Sequence, residues 1–480
     1  MKKSFIILFL LTLVFPLFGK TLVFYHTSDA HGFFYPQKGV GGYAALAALL
    51  EQEKNPFLLL DSGDFANGTA ETKKTKGLAA VELMNAVGYQ AATIGNHEFD
   101  FKDEGLVPML KKAKFSVLAA NLREKKTDHL PSWAKAYEIF EVGGEKVAVI
   151  GLANRHPTQA TKQYYFTKPL AAFASALQQA EKENPSVVVV LAHDSLADYR
   201  NGILPYLGNI AKKYSGRVHV ILGGHSHKIF QNEFINGVLF AESGCYLKNV
   251  TKITVELNDE TGKVVSLSSQ LIPLQISQTG TDLKIATLAD RYKDMALETV
   301  IGTAGADISQ NPVQKTEKDS PLDDWISDLG RRYTQTEIFI HNTGGTRISL
   351  EKGPITQRTL IDLFPFEDKM VRMEITGEQL KKFIRSGLTP WNKYVYSGLQ
   401  ISYSVSKKGF VKDLQVLLNG QPIENKKTYT VGTNSYIAKL RAFDGLDKQP
   451  AGDKSVRQLV AEAFQEAVVY PPDTGRIILK

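Results

Sequence analysis

Cysteine is nearly absent: Cys245 stands alone among 480 residues. A disulfide framework is therefore excluded, and so is a cysteine-built metal site. Long apolar runs are equally scarce. Outside residues 5–18, no segment approaches the ~20 apolar residues needed to cross a bilayer. That one run follows Lys2 and Lys3 and ends at Gly19, so residues 1–19 read as a secretory signal peptide cleaved after Gly19. No cysteine sits at the cleavage point to carry a lipid. An exported, disulfide-free chain points to a bacterial periplasm or a secreted fraction, with no membrane span once the leader is gone. Charge of one sign is also in short supply. The formal net charge of +7 falls to +5 when Lys2 and Lys3 leave, and the excess shows no cluster. A surface for a nucleic acid polymer is not supported. Attraction of small anions is the milder inference, and no obligate protein partner is indicated.

A chain of this length exceeds one ordinary core and suggests two domains. Between residues 21 and 228, short apolar runs (Leu22 to Tyr25, Phe57 to Leu60, Ala91 to Ile94, Phe115 to Leu118, Val147 to Ile150, Val187 to Leu191, Val218 to Leu222) alternate with amphipathic stretches such as "GLAAVELMNAVG". Such alternation predicts an α/β layered domain with buried strands. From about 229 to 275 the helical patterns give way to strand-like "NVTKITVEL" and "KVVSLSSQLIPL", which complete a first domain over 20–280. Residues 281–300 read as a polar-faced linker helix, with Leu283, Leu288, Tyr292 and Met295 near helical spacing. Residues 301–480 remain for an α+β domain of ordinary size.

Polar groups recur at the ends of the apolar runs. "HTSDAHG" brings Asp29 and His31, "DSGDFANG" brings Asp64, and "GNHEFD" brings Asn96, His97, Glu98 and Asp100. His193 follows Leu191, and "GGHSH" adds His225 and His227. In an open α/β sheet the site lies outside the carboxyl ends of the strands, so the clusters should converge on one crevice. Oxygen and imidazole donors of this kind suit Zn, Mn, Fe or Co, and there are more of them than one ion requires. A lone D-x-H or H-x-H is common by chance, and His193 alone would pass for a core histidine. Their shared placement at strand ends is what argues for two divalent ions.

In "SDAHG", "DSGDFANG", "GNHEFD", "LAHD" and "GGHSH" the chain resembles the calcineurin-like metallophosphoesterases, and more narrowly the bacterial 5'-nucleotidase and UDP-sugar hydrolase family. The resemblance implies a four-layer α/β/β/α catalytic domain followed by a nucleotide-recognition domain. It implies that Asp29, His31, Asp64 and His227 hold one ion, and that Asp64, Asn96, His193 and His225 hold the other, with Asp64 shared. Members often carry another polar residue at the position of His227. Two ions ~3.5–4 Å apart can hold a water nucleophile and stabilise phosphoryl oxygens during in-line displacement. His97 and Asp100 match the family's acid dyad, whereas Glu98 acquires no role.

In the second half, "HNTGGTR" resembles the family's nucleotide-contacting motif, which implies contacts from Asn342 and Arg347. Phe366 in "LFPFED" and Tyr436 in "TNSYIAKLRAFDG" match rings that sandwich a base, although Tyr436 replaces a usual Phe. Asp444 matches a ribose-binding carboxylate after a longer spacing, and Lys318 stands near where an arginine is common. The expected substrate is thus a small nucleotide, and the leading activity is hydrolysis of nucleoside 5'-monophosphates. UDP-sugar and 2',3'-cyclic-nucleotide hydrolysis are close alternatives; a thiosulfohydrolase-like enzyme and a non-catalytic nucleotide-binding protein are remoter ones. The resemblance further implies rotation of the domains about the 281–300 region.

Overall fold

A computed structural model describes residues 19–196, 206–388, 394–406 and 409–480, so the leader reading lies outside the described residues except at Gly19. In the N-terminal half the strands Lys20–Thr27, Glu145–Leu152, Val187–Ala192 and Val220–Leu222 are buried at most or all positions. Burial of both faces explains why they read as continuous apolar runs rather than alternation. The first sheet has six strands, in the order Val264–Pro273, Asn249–Leu257, Lys20–Thr27, Phe57–Asp61, Ala91–Ala92, Ser116–Val117. The second also has six: Ile229–Ile235, Val238–Ser243, Val220–Leu222, Val187–Ala192, Glu145–Leu152, Tyr137–Val142.

Three apolar seams hold these layers together. Leu22, Phe24, Leu58 and Leu60 of one sheet meet Val147, Val189, Leu191 and Leu222 of the other. Helices Tyr43–Leu50 and Leu78–Val87 cover the outer face of the first sheet. Helices Pro169–Ala180 and Tyr206–Lys213 cover that of the second. This is the α/β/β/α arrangement. Within each sheet the central strands run parallel, so their carboxyl ends open on the same edge. Just beneath that edge the buried His26 receives hydrogen-bond partners from both sheets, Ser62 Oγ at 2.8 Å from Nε2 and Ser243 Oγ at 2.8 Å from Nδ1. Burial pushes the His26 imidazole down to about 3, which keeps this seam neutral.

The C-terminal half is α+β. A five-stranded mixed sheet, including Ile338–Asn342, Thr428–Asn434 and Lys369–Thr376, packs against helix Pro321–Thr334 and is joined by a four-stranded sheet. Three helices here start with reciprocal capping boxes, Thr356 with Thr359, Thr376 with Gln379, and Ser455 with Gln458, a pattern written locally in the sequence.

The 281–300 segment departs from the single helix expected. It forms a helix over Leu283–Asp290 and a separate 3-10 turn over Met295–Glu298. The Asp294 carboxylate accepts the Ala296 N–H and starts a new turn, in competition with helix continuation. Leu283 and Met295, read as part of one apolar face, are 76% and 67% exposed; Ile285 and Ala289 are the buried positions.

Candidate metal centre

Five side chains at the strand ends sit on a backbone that non-glycine residues seldom adopt. Asp29 (φ 52°), His31 (48°), Asp64 (58°), His225 (74°) and His227 (58°) are all left-handed. Each such residue costs roughly 1–3 kcal/mol and persists only where its surroundings dictate it. Two glycines permit the close approach of the loops. A Cβ on Gly63 (φ 90°) would meet the Gly95 nitrogen at 2.5 Å, and one on Gly95 would meet Asp64 Oδ1 at 2.1 Å.

The imidazoles are aimed from behind. His31 Nδ1 donates to the Asn67 carbonyl at 2.8 Å, and His193 Nδ1 donates to the Ser62 carbonyl at 2.7 Å. A carbonyl can only accept, so Nδ1 carries the proton in both rings and both Nε2 atoms point inward. There they face side chains of the neighbouring loops. His193 Nε2 lies 3.0 Å from Asp64 Oδ2 without hydrogen-bond geometry. His31 Nε2 lies 3.2 Å from His227 Nε2, and His227 Nε2 lies 3.4 Å from Asp29 Oδ1. Asn96 Oδ1 is buried with no partner among the described residues.

Donor atoms of Asp29, His31 and His227 lie within 4.8 Å of one another, as do those of Asp64, His193 and His225. Asp64 faces both groups, with Oδ2 3.8 Å from His31 Nε2, while its Oδ1 accepts the His97 N–H at 2.8 Å. Carboxylate oxygens and imidazole nitrogens converging this closely call for positive charge among them, and the set fits two divalent cations. The titration behaviour expresses the same demand. Burial would hold His193 neutral, yet Asp64 outweighs it and carries the imidazole up to about 10. Burial lifts Asp29 to about 6 even with His193 beside it.

His97 adjoins this cluster, its ring centroid 5.1 Å from that of His31. Its Nδ1 donates to Asp100 Oδ2 at 2.7 Å. Asp100 is fixed in turn by Asn67 Nδ2 at 2.6 Å and by the Thr158 hydroxyl. Burial works against charge on His97, but the carboxylates of Asp100 and Asp64 prevail and raise its pKa.

The residues expected to recognise substrate are spread more widely. Arg347 crosses from the C-terminal half and donates from Nη2 to His31 Nε2 at 2.8 Å. Phe366 stacks on His97, centroids 5.9 Å apart and planes 29° apart. Asn342 accepts from Asn434 Nδ2 at 2.7 Å at the end of its strand. Tyr436 is half exposed. Asp444 lines a cavity of about 580 Å³ with Lys369, Ser435, Lys439 and Lys448. Lys318 donates to the Lys315 carbonyl at 2.8 Å, within its own loop.

Four contributors escaped the sequence reading. Asn67, Thr158 and Glu98 act through hydrogen bonds to residues distant in sequence; Asn67 and Glu98 lie inside quoted motifs, whereas nothing in the sequence around Thr158 draws attention to it. Tyr246 (φ 62°) places its ring 5.8 Å from His31 and 5.5 Å from His227, beneath the Arg347 guanidinium. Nothing in "SGCYLKN" signals that position.

Residues 22–229 match the calcineurin-like phosphoesterase family, and residues 300–447 match the 5'-nucleotidase C-terminal domain. Among curated relatives, endonuclease YhcR of Bacillus subtilis is 27% identical over 89% of this chain, which spans 37% of that protein's length. Protein UshA of Yersinia enterocolitica is 25% identical over 86% of this chain and 84% of its own. The crystal structure of a 5'-nucleotidase precursor from Thermus thermophilus superposes with a TM-score of 0.83 at 26% identity, covering 96% of this chain and 99% of that one.

Proposed function

The chain belongs to the calcineurin-like phosphoesterases that carry a 5'-nucleotidase C-terminal domain, and on that premise we propose that this hydrolase is an exported 5'-nucleotidase, converting nucleoside 5'-monophosphates to nucleoside and phosphate. The observation that carries the reading is the pair of inward-facing donor groups around Asp64, completed by the partnerless Asn96 oxygen. Asp29, His31, Asp64 and His227 would hold one divalent ion; Asp64, Asn96, His193 and His225 would hold the other. Such a pair supplies Lewis acidity toward phosphoryl oxygens and activates water for in-line attack.

The chain's own residues do the rest. Arg347 leaves His31 for the incoming phosphate, where its planar fork matches two oxygens. Asp100 keeps a proton on His97 Nδ1 and favours the imidazolium, so that Nε2 can donate to the leaving oxygen. Phe366 and Tyr436 take the base between them once the domains separate, and Asp444 takes the ribose hydroxyls. Asn342 and Lys318 complete the polar contacts. Among the described residues no helix is long and apolar enough to cross a membrane. Export itself is tested by sequencing the N-terminus of the mature protein, which should begin at Lys20.

The deciding experiment assays AMP, UDP-glucose, 2',3'-cyclic AMP, bis(p-nitrophenyl) phosphate and single-stranded DNA. Each is offered to metal-stripped protein and to protein restored with Mn, Zn or Co. The expected result is metal-restored hydrolysis fastest on AMP. Faster turnover of UDP-glucose or the cyclic nucleotide moves the assignment within the class, and preferred cleavage of DNA overturns it.

A further inference from the structure

Glu98 is completely buried, follows His97 directly, and has no part in the chemistry assigned above. Its carboxylate nevertheless accepts four backbone N–H groups. Oε1 takes those of Phe65 at 2.9 Å and Ala66 at 3.0 Å; Oε2 takes those of Asp64 at 3.0 Å and Gly95 at 2.7 Å. Three of these donors are consecutive residues in the loop after strand Phe57–Asp61. The fourth lies in the loop after the neighbouring strand Ala91–Ala92. Successive N–H groups converging in this way form an anion-binding nest, and here a side chain of the protein fills it.

Several features depend on that anion. Asp64 heads the nest in a left-handed conformation (φ 58°) that a free chain would abandon. Gly95 immediately precedes Asn96, and the two loops approach so closely that neither Gly63 nor Gly95 has room for a Cβ. Asp64 and Asn96 must reach one ion from different loops. A single carboxylate bonded to both loops fixes that separation.

We propose that Glu98 is a positioning residue for the metal centre: it clamps the Asp64 loop to the Asn96 loop so that both side chains are pre-set for the same ion. This rests on the reading of Asp64 and Asn96 as ligands. The demand is for a carboxylate of this length. Glutamine offers one accepting oxygen and turns its NH2 donors toward N–H groups that need an acceptor. Aspartate keeps the charge but is one methylene too short to span both loops.

The test uses the full chain with Glu98→Gln and Glu98→Asp, each stripped of metal and titrated with Co²⁺ or Zn²⁺ against a chelator. Loss of an orienting partner behind a ligand typically weakens metal affinity 10–100-fold. The expected result is a loss of that size for one of the two ions in both variants, a changed cobalt absorption spectrum, and a lowered kcat at saturating metal with KM retained. Wild-type affinity for both ions with an unchanged cobalt spectrum, accompanied only by a lower melting temperature, would overturn the proposal. If neither variant folds, hydrogen exchange on the wild type decides. The peptide covering residues 62–67 should be equally protected with and without metal if Glu98 pre-sets the loop; protection that appears only with metal refutes it. Wild-type protein that binds no metal would instead defeat the ligand assignment itself.

Discussion

In the N-terminal half, the proposed ligands Asp29, His31, Asp64 and His193 are at most 1% exposed and their orientations are set by backbone carbonyls and amides. In the C-terminal half, Tyr436 is 50% exposed, Asp444 lines an open cavity, and Arg347 rests on a residue of the other domain. The contrast follows from what each half has to achieve. Two cations near each other would tolerate little positional error, and the innermost proposed donors, Asp29, His31, Asp64 and His193, are fixed in advance, the first three at the expense of backbone strain, while His225 is exposed and His227 partly so. The proposed recognition of a nucleotide requires entry and release, which suits contacts that are partly open to solvent, as Tyr436 is. Charged groups span the boundary. The Arg358 guanidinium binds Glu71 of the catalytic half and Glu298 of the linker, and Lys73 meets Glu367 at 2.6 Å.

The contrast breaks most severely at His97. His97→Ala should lower kcat by ~10²–10⁴-fold while metal analysis still finds two ions per chain; loss of metal would erase the separation of ligand from acid. Tyr436→Ala sharpens it from the other side. Loss of one stacking face, ~1–3 kcal/mol, should raise KM for AMP about 5- to 150-fold and leave p-nitrophenyl phosphate turnover unchanged. Equal losses on both substrates would place Tyr436 in the catalytic apparatus.

The smallest effect concerns stability within the C-terminal half alone. Burial and the neighbouring Asp319 lift the Asp324 carboxyl to about 9. The folded chain thus keeps a proton that an unfolded one releases near the ordinary value of about 3.9. This contribution is fully present below that value and is lost as pH rises through about 9. Asp324→Asn retains a donor without the titration. Its melting temperature should gain on the wild type's by roughly 10 °C between about pH 5 and about pH 8.5, with AMP turnover unaltered.

The same contrast explains what the sequence disclosed. Strand ends such as "LLLDSGD" and "VVVVLAH" carry apolar burial and polar chemistry in adjacent residues, so the layered fold and its convergent edge were legible. Glu98 was not. Its partners lie on backbone 3 to 34 residues away, and backbone amides have no letter in a sequence. Tyr246 likewise depends on where its loop folds back. The 281–300 helix was misread because Leu283 and Met295 carry apolar spacing without burial, while Asp294 diverts the chain locally.

The ring of Phe366 lies flat beside His97. The residue offered as a clamp for the base is, in this closed arrangement, a shutter over the proton donor. If Phe366 serves as proposed, a nucleotide base displaces it from His97, and admission of substrate and exposure of the acid become one displacement. On the proposed reading each catalytic cycle would contain an opening stroke of the C-terminal domain, and the pace of that stroke would bound turnover however fast the phosphorus chemistry becomes.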